Sequence, residues 1–169
     1  LWIVDEQGQK VGPDVVGQLV IRGATVMKGY WEKPEATAKR LKPGPLPGEQ
    51  VLYTGDYCRL DEEGYLYFVG RMDDIIKTRG EKVAPKEVEN VLFDVAGVKE
   101  AAVIGVPDEL LGQAIKAFVV LEQGATLSER DLLRACQERL ESFCVPKYVE
   151  LVAELPKTDT GKIKKTGLA

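Results

Sequence analysis

Up to residue 71 the apolar positions come in short runs broken by glycine and proline, the spacing of brief strands and turns rather than of long helices. The runs LWIVDE (1–6) and GQLVIRG (17–23) each read as a strand. VLYTGDYCRL (51–60), DEEG (61–64) and YLYFVGR (65–71) read as a hairpin whose acidic turn contains Gly64. Between these, GYWEKPEATAKRL (29–41) opens on an exposed turn and becomes a short helix, with Tyr30 and Trp31 as packing or turn anchors. KPGPLPGEQ (42–50), rich in proline and glycine, reads as a loop.

From residue 74 the rhythm changes. IIKTRGEKVAP (75–85) predicts a second hairpin turning at Gly80, and Pro85 suits the first turn of a helix. Val88, Val91, Leu92 and Val95 then recur at i, i+3, i+4, i+7, and Gly97 ends the run. Glu87 and Glu89 read as exposed carboxylates favourably placed near that helix's N-terminus. VKEAAVIGV (98–106) and QAIKAFVVLE (113–122) predict two strands separated by PDELLG. Ser128 can cap a helix with apolar positions Leu132, Leu133, Cys136 and Leu140, and YVELV (148–152) is a last short strand. The expected fold class is α+β: a small β-rich piece over 1–72, then an α+β module of helices over a small sheet over 73–169. The boundary falls in GRMDD (70–74), a short polar connection able to act as a hinge at 72–74. There is no internal repeat and no low-complexity tract.

Composition narrows the chemistry. The 169 residues suffice for one ordinary domain or two small ones. The balance of 23 basic to 27 acidic residues, with no basic stripe, argues against a nucleic-acid binder. No apolar run approaches the roughly 18 residues of a membrane span, and the start lacks a signal-peptide pattern. It also lacks an initiator Met, so the chain reads as a piece of something longer. Cys58, Cys136 and Cys144 are odd in number and form no CxxC pair, which fits structural thiols in a reduced, cytoplasmic setting. The absence of histidine removes Ser-His and Cys-His catalysis and most metal sites. Neither serine, Ser128 nor Ser142, lies in a GxSxG turn. Chemistry is left to Lys, Arg, Asp, Glu, Thr or Tyr. LPKTDTGKIKK (155–165) then stands out in a chain of net negative charge: Lys157, Lys162, Lys164 and Lys165 face a single Asp159. On charge alone this reads as a solvated basic tail, and TDTGK lacks the upstream glycine and following Ser/Thr of a Walker A loop.

Four stretches taken together carry a resemblance: GQLVIRGATVMKGYWEKPEAT (17–37), YTGD (53–56), GRMDDIIKTRGEKVAPKEVE (70–89) and PKTDTGK (156–162). In order and spacing they resemble the C-terminal part of the adenylate-forming ligases, which include acyl-CoA and aryl-CoA synthetases, firefly luciferase and the adenylation domains of peptide synthetases. The likeness covers nearly the whole chain. It implies the last β-rich subdomain of a large N-terminal lobe followed by a mobile α+β lid. It also implies a two-step reaction: a carboxylate attacks the α-phosphate of ATP to give acyl-AMP and pyrophosphate, and a thiol, usually of coenzyme A, then displaces AMP. In the family the lid rotates between the steps.

By the same resemblance, Lys162 matches the lysine that bridges carboxylate and α-phosphate during adenylation, and Lys77 the one that enters the site for thioester formation. Asp56 and Arg71 match residues that reach the ribose. Lys82 matches a position that approaches the nucleotide, Gly80 one beside the pantetheine tunnel, and Asp73 the hinge. The residues also allow blander roles: Asp56 as a turn cap, Arg71 in a surface ion pair, and the hairpin lysines as a solvated edge. Position 165 is often arginine in relatives and is lysine here, which leaves a secondary anion contact open. The phosphate loop, the acyl pocket and the adenine-stacking segment would lie upstream of this chain, and so would any Mg ligands. The implied partner is the rest of the N-terminal lobe, and the fragment alone is expected to be inactive. IIKTRGEKVAPKEVE resembles the CoA-ligase branch acting on a fatty or similar carboxylic acid. A fatty-acyl-AMP ligase, a peptide-synthetase adenylation domain and a non-catalytic nucleotide- or CoA-binding module are the alternatives.

Overall fold

The computed structural model describes residues 1–168. The chain separates into two compact units, Leu1–Asp73 and Asp74–Ala169.

The first unit is built on an antiparallel sheet of β1 (Trp2–Val4), β2 (Gly17–Ile21), β3 (Leu41–Pro43), β4 (Gln50–Leu60) and β5 (Leu66–Arg71), with helix α1 (Pro34–Arg40) between β2 and β3. The order is β1-β2-β4-β3, and β5 also pairs with β4. Strand alternation sends Ile3, Leu19 and Cys58 into one cluster and Val4, Val20 and Val51 into another. The segment expected to be a loop from residue 42 instead begins as an edge strand, Lys42 facing Val51 and Pro43 facing Gln50. An edge position tolerates Pro43, whose missing N–H is not needed by a neighbour. Trp31 does not pack: it is 87% exposed. The Tyr30 amide, by contrast, is anchored, donating to Thr37 Oγ1 at 2.9 Å.

The second unit carries β6 (Ile76–Thr78), β7 (Glu81–Val83), β8 (Val98–Asp108), β9 (Gly112–Leu121) and β10 (Tyr148–Leu151), with helices α2 (Pro85–Phe93) and α3 (Glu129–Arg139). The sheet order is β10-β9-β6-β7, with β8 on β9. All pairings are antiparallel except β10, which runs parallel to β9 after the α3 crossover. One face of β8 and β9 (Ala101, Val103, Ile115, Ala117, Val119) packs with Val88 and Leu92 of α2 and with Leu132 and Cys136 of α3. Residues of alternate parity (Ala102, Phe118, Val120) form a second cluster with Leu155 and the partly buried Ile163. The C-terminal segment is therefore packed against the sheet. Ser128 forms a reciprocal capping box with Asp131, which starts α3.

Helix α2 buries more than the expected apolar positions, of which Val91 and Val95 are partly buried against the same core as Val88 and Leu92. Its buried stripe is Pro85, Val88, Glu89 and Leu92, itself an i, i+3, i+4, i+7 set, while Val95 lies beyond the helix end. Glu87 is exposed as expected, but Glu89 is only 7% exposed. A carboxylate is tolerated on the inner face because the Val103 amide donates to Glu89 Oε1 at 3.0 Å and Lys165 Nζ lies 2.7 Å from the same oxygen.

Candidate functional site

In the first unit the site residues sit on an irregular strand. Gln18 faces Tyr57 and Val20 faces Tyr53, so Thr54, Gly55 and Asp56 of β4 all stand opposite Leu19. This bulge is held by the Thr54 hydroxyl, which donates to the Leu19 carbonyl at 3.1 Å and accepts from the Asp56 amide at 3.1 Å. Gly55 takes φ +78°, and a Cβ there would lie 1.8 Å from Arg40 Nη1. The YTGD motif is thus a mid-strand bulge, and Asp56 caps no turn at a strand end.

The bulge sets Asp56 directly across from Arg71 of β5. Arg71 Nη1 lies 3.3 Å from Asp56 Oδ1, and that buried oxygen has no hydrogen-bond partner among the described residues. A buried carboxylate oxygen left without a donor has unused accepting capacity. Asp56 can therefore take a hydroxyl, and the half-exposed Arg71 beside it is free to donate elsewhere as well. Asp73 lies in the single 3-10 turn Met72–Asp74 and is 3.7 Å from Arg40 Nη2.

In the second unit, Lys77 and Lys82 face each other across the β6–β7 hairpin. Ile76 and Thr78 are buried, so alternation turns Lys77 outward, and its amide donates to Gln113 Oε1 at 2.7 Å. The hairpin turn takes φ +54° at Arg79 and +85° at Gly80, the left-handed pair of a type I′ turn. Nothing lies within 4 Å of where a Gly80 Cβ would be, so within this unit the glycine answers the turn and not crowding.

Lys162 stands on a different element. Lys157 and Ile163 form a β-bridge, the Thr158 amide donates to the Lys162 carbonyl at 2.8 Å, and the Lys162 amide donates to Thr158 Oγ1 at 3.2 Å. TDTGK is therefore the tip of a small hairpin. Its four lysines are of two kinds. Lys157 pairs with Glu100 at 2.6 Å and Lys165 with Glu89 at 2.7 Å. Lys162 and Lys164 are exposed and have no carboxylate partner among the described residues. Glu89, Glu100 and Arg40 are contributors that sequence reasoning missed. A signal for Glu89 existed, since it lies four residues after Pro85 on the inner stripe.

All three cysteines are free and buried. Burial pushes the Cys136 and Cys144 thiols up to about 11, and Cys58 is raised by burial and then by the nearby Asp56 charge. None is disposed to act as a nucleophile. Among the described residues no cluster of three or more Cys, Asp or Glu could hold a metal ion. A cavity of about 520 Å³ in the second unit is bordered by Thr78, Arg79 and Lys147, but not by Lys77, Lys82 or Lys162. No helix among the described residues is long and apolar enough to cross a membrane.

A β-rich unit bearing a carboxylate–arginine pair, joined by one turn to an α+β unit with outward lysines on two hairpins, defines the C-terminal architecture of the adenylate-forming enzymes. Residues 87–162 match the model of the AMP-binding enzyme C-terminal domain. It is 40% identical over 169 residues to a crotonobetaine/carnitine–CoA ligase of Salmonella arizonae, covering 98% of this chain and 32% of that protein. It is 42% identical over 159 residues to a long-chain-fatty-acid–CoA ligase of Bacillus subtilis, covering 94% of this chain and 27% of the relative. Among solved structures, ATP-bound MatB from Rhodopseudomonas palustris matches with a TM-score of 0.89 and 35% identity, over 99% of this chain and 32% of the other. The o-succinylbenzoate CoA synthetase (MenE) of Bacillus subtilis, in complex with its acyl-adenylate intermediate OSB-AMP, matches with a TM-score of 0.89 and 32% identity, over 99% and 33% of the two chains. The chain spans about a third of the length of the curated relatives it matches.

Proposed function

We propose that the chain is the lid and the last large-lobe subdomain of an AMP-forming acid–thiol ligase, which converts a fatty or related carboxylic acid, ATP and CoA into acyl-CoA. In the first step a carboxylate oxygen attacks the α-phosphorus and pyrophosphate leaves. In the second the CoA sulfur attacks the acyl carbon and AMP leaves. The observation that carries this reading is the unpaired Lys162 ammonium, presented at the tip of a hairpin on which Lys157 and Lys165 are tied to carboxylates.

Adenylation brings two anions together, and a compact cation between them offsets their repulsion most where charge builds up. Lys162 takes that role. Lys77, outward on the β6–β7 hairpin, serves thioester formation with Gly80 beside the CoA arm and Lys82 toward the nucleotide. Asp56 accepts from the ribose hydroxyls through the oxygen left without a donor, and Arg71 supports it. Asp73 is the pivot at which the lid turns between steps. The ATP- and acyl-adenylate-bound neighbours and the CoA-ligase relatives support this assignment of substrates. Metal accompanying ATP would be held by residues outside this chain, together with the phosphate loop and acyl pocket of the remaining lobe. A cytoplasmic setting is part of the reading, supported by three free thiols.

The test is a comparison of half-reactions in the full-length protein. Lys162→Ala should slow ATP–pyrophosphate exchange by roughly 100-fold or more while sparing thioester formation from supplied acyl-AMP. Lys77→Ala should do the reverse. Equal loss of both steps in both variants would refute the two-lysine mechanism.

A further inference from the structure

We infer that Glu89 and Lys165 are positioning residues for Lys162, forming a buried strut that holds the C-terminal hairpin in register on the sheet. The inference rests on the ligase reading above for what Lys162 does.

Glu89 Oε1 joins three parts of the second unit at one atom. It belongs to α2, accepts from the Val103 amide of β8 at 3.0 Å, and is 2.7 Å from Lys165 Nζ. Lys165 lies three residues beyond Lys162 and is itself mostly shielded, with 27% of its side chain exposed. The other leg of the hairpin is held by Lys157 on Glu100, a residue of β8. Between the legs, Ile163 rests against the cluster of Ala102, Phe118, Val120 and Leu155, and the Lys164 amide donates to the Pro156 carbonyl at 2.7 Å. An apolar residue would fill the inner stripe of α2 beside Pro85, Val88 and Leu92 without the cost of desolvating a charge. A carboxylate there is poorly explained by stability, but it orients the lysine that ends the hairpin. The orientation matters because a charge contact realised in the transition state tolerates little displacement: about 1 Å can cost two orders of magnitude in rate.

Two single variants of the full-length protein test this, Glu89→Gln and Lys165→Met. Gln keeps an acceptor for the Val103 amide while removing the charge, so it guards against simple unfolding. Each should lower kcat for adenylation by about tenfold, with KM for ATP and thioester formation from supplied acyl-AMP within about twofold of the parent. The double variant should be no slower than either single one, and Lys165→Arg should recover most of the rate. Amide exchange at 158–165 should accelerate in Lys165→Met while that of α3 stays unchanged. Unaltered exchange together with unaltered adenylation would overturn the inference, and so would equal slowing of both half-reactions. If Lys162→Ala itself leaves adenylation intact, the ligase reading has failed; if Lys162→Ala is slow but Lys165→Met is not, only the strut has.

Discussion

Gly55 shows how much a single position is asked to do. Its φ of +78° lies where side chains with a Cβ are disfavoured, and the Arg40 guanidinium occupies the space a Cβ would need. Gly55→Ala should cost about 1–2 kcal/mol from the backbone alone and should also push Arg40 away from Asp73. Denaturant unfolding of the variant checks the first effect, and an unchanged midpoint would remove the bulge's conformational demand. The same scale separates the four C-terminal lysines. Lys157 and Lys165 are bound by carboxylates and Lys162 and Lys164 are not, a distinction set by where Glu100 and Glu89 lie in space.

At the scale of the element, α3 begins where its capping box allows. The Ser128 hydroxyl accepts from the Asp131 amide, and Asp131 accepts in return from the Ser128 amide at 2.9 Å and hydroxyl at 2.6 Å. These bonds from the Ser128 side chain and backbone hold the Asp131 carboxyl below its usual 3.8. A depressed carboxylate binds fewer protons in the folded chain than in the unfolded one. Its contribution is therefore complete above that usual value and is lost as pH falls through the folded one. Ser128→Ala should cost about 1 kcal/mol near neutrality, and the penalty should shrink on acidification below the usual value. Melting temperatures of parent and variant across that range check the sign. Helix α2 illustrates a partial case, an element whose type and apolar face were predictable while one buried charge was not. Val88, Val91, Leu92 and Val95 all meet the core, but Pro85 and Glu89 complete the most buried stripe, and hydropathy does not mark a glutamate for burial.

For the whole molecule, each of the two units holds its own clusters of buried side chains. The chain contains the Asp56 carboxylate and the proposed lysines, yet spans only about a third of the length of its relatives. We expect the isolated 169-residue chain to give no measurable ATP–pyrophosphate exchange. Exchange above a no-enzyme control would show that the adenylation site needs nothing upstream.

By itself the sequence determined what depends on neighbours along the chain. Glycines with left-handed backbone placed the turns at Gly64 and Gly80, Ser128 placed the start of α3, and four motifs in order carried the likeness to the adenylate-forming ligases. The tertiary structure alone decided what depends on distant partners. It put Asp56 in a mid-strand bulge opposite Arg71, left Trp31 in solvent, drew residues 41–43 into an edge strand and buried Glu89. The physical reason is the same throughout: a dihedral preference is local, whereas a buried charge is acceptable only when a donor such as Val103 or Lys165, far along the chain, is folded against it.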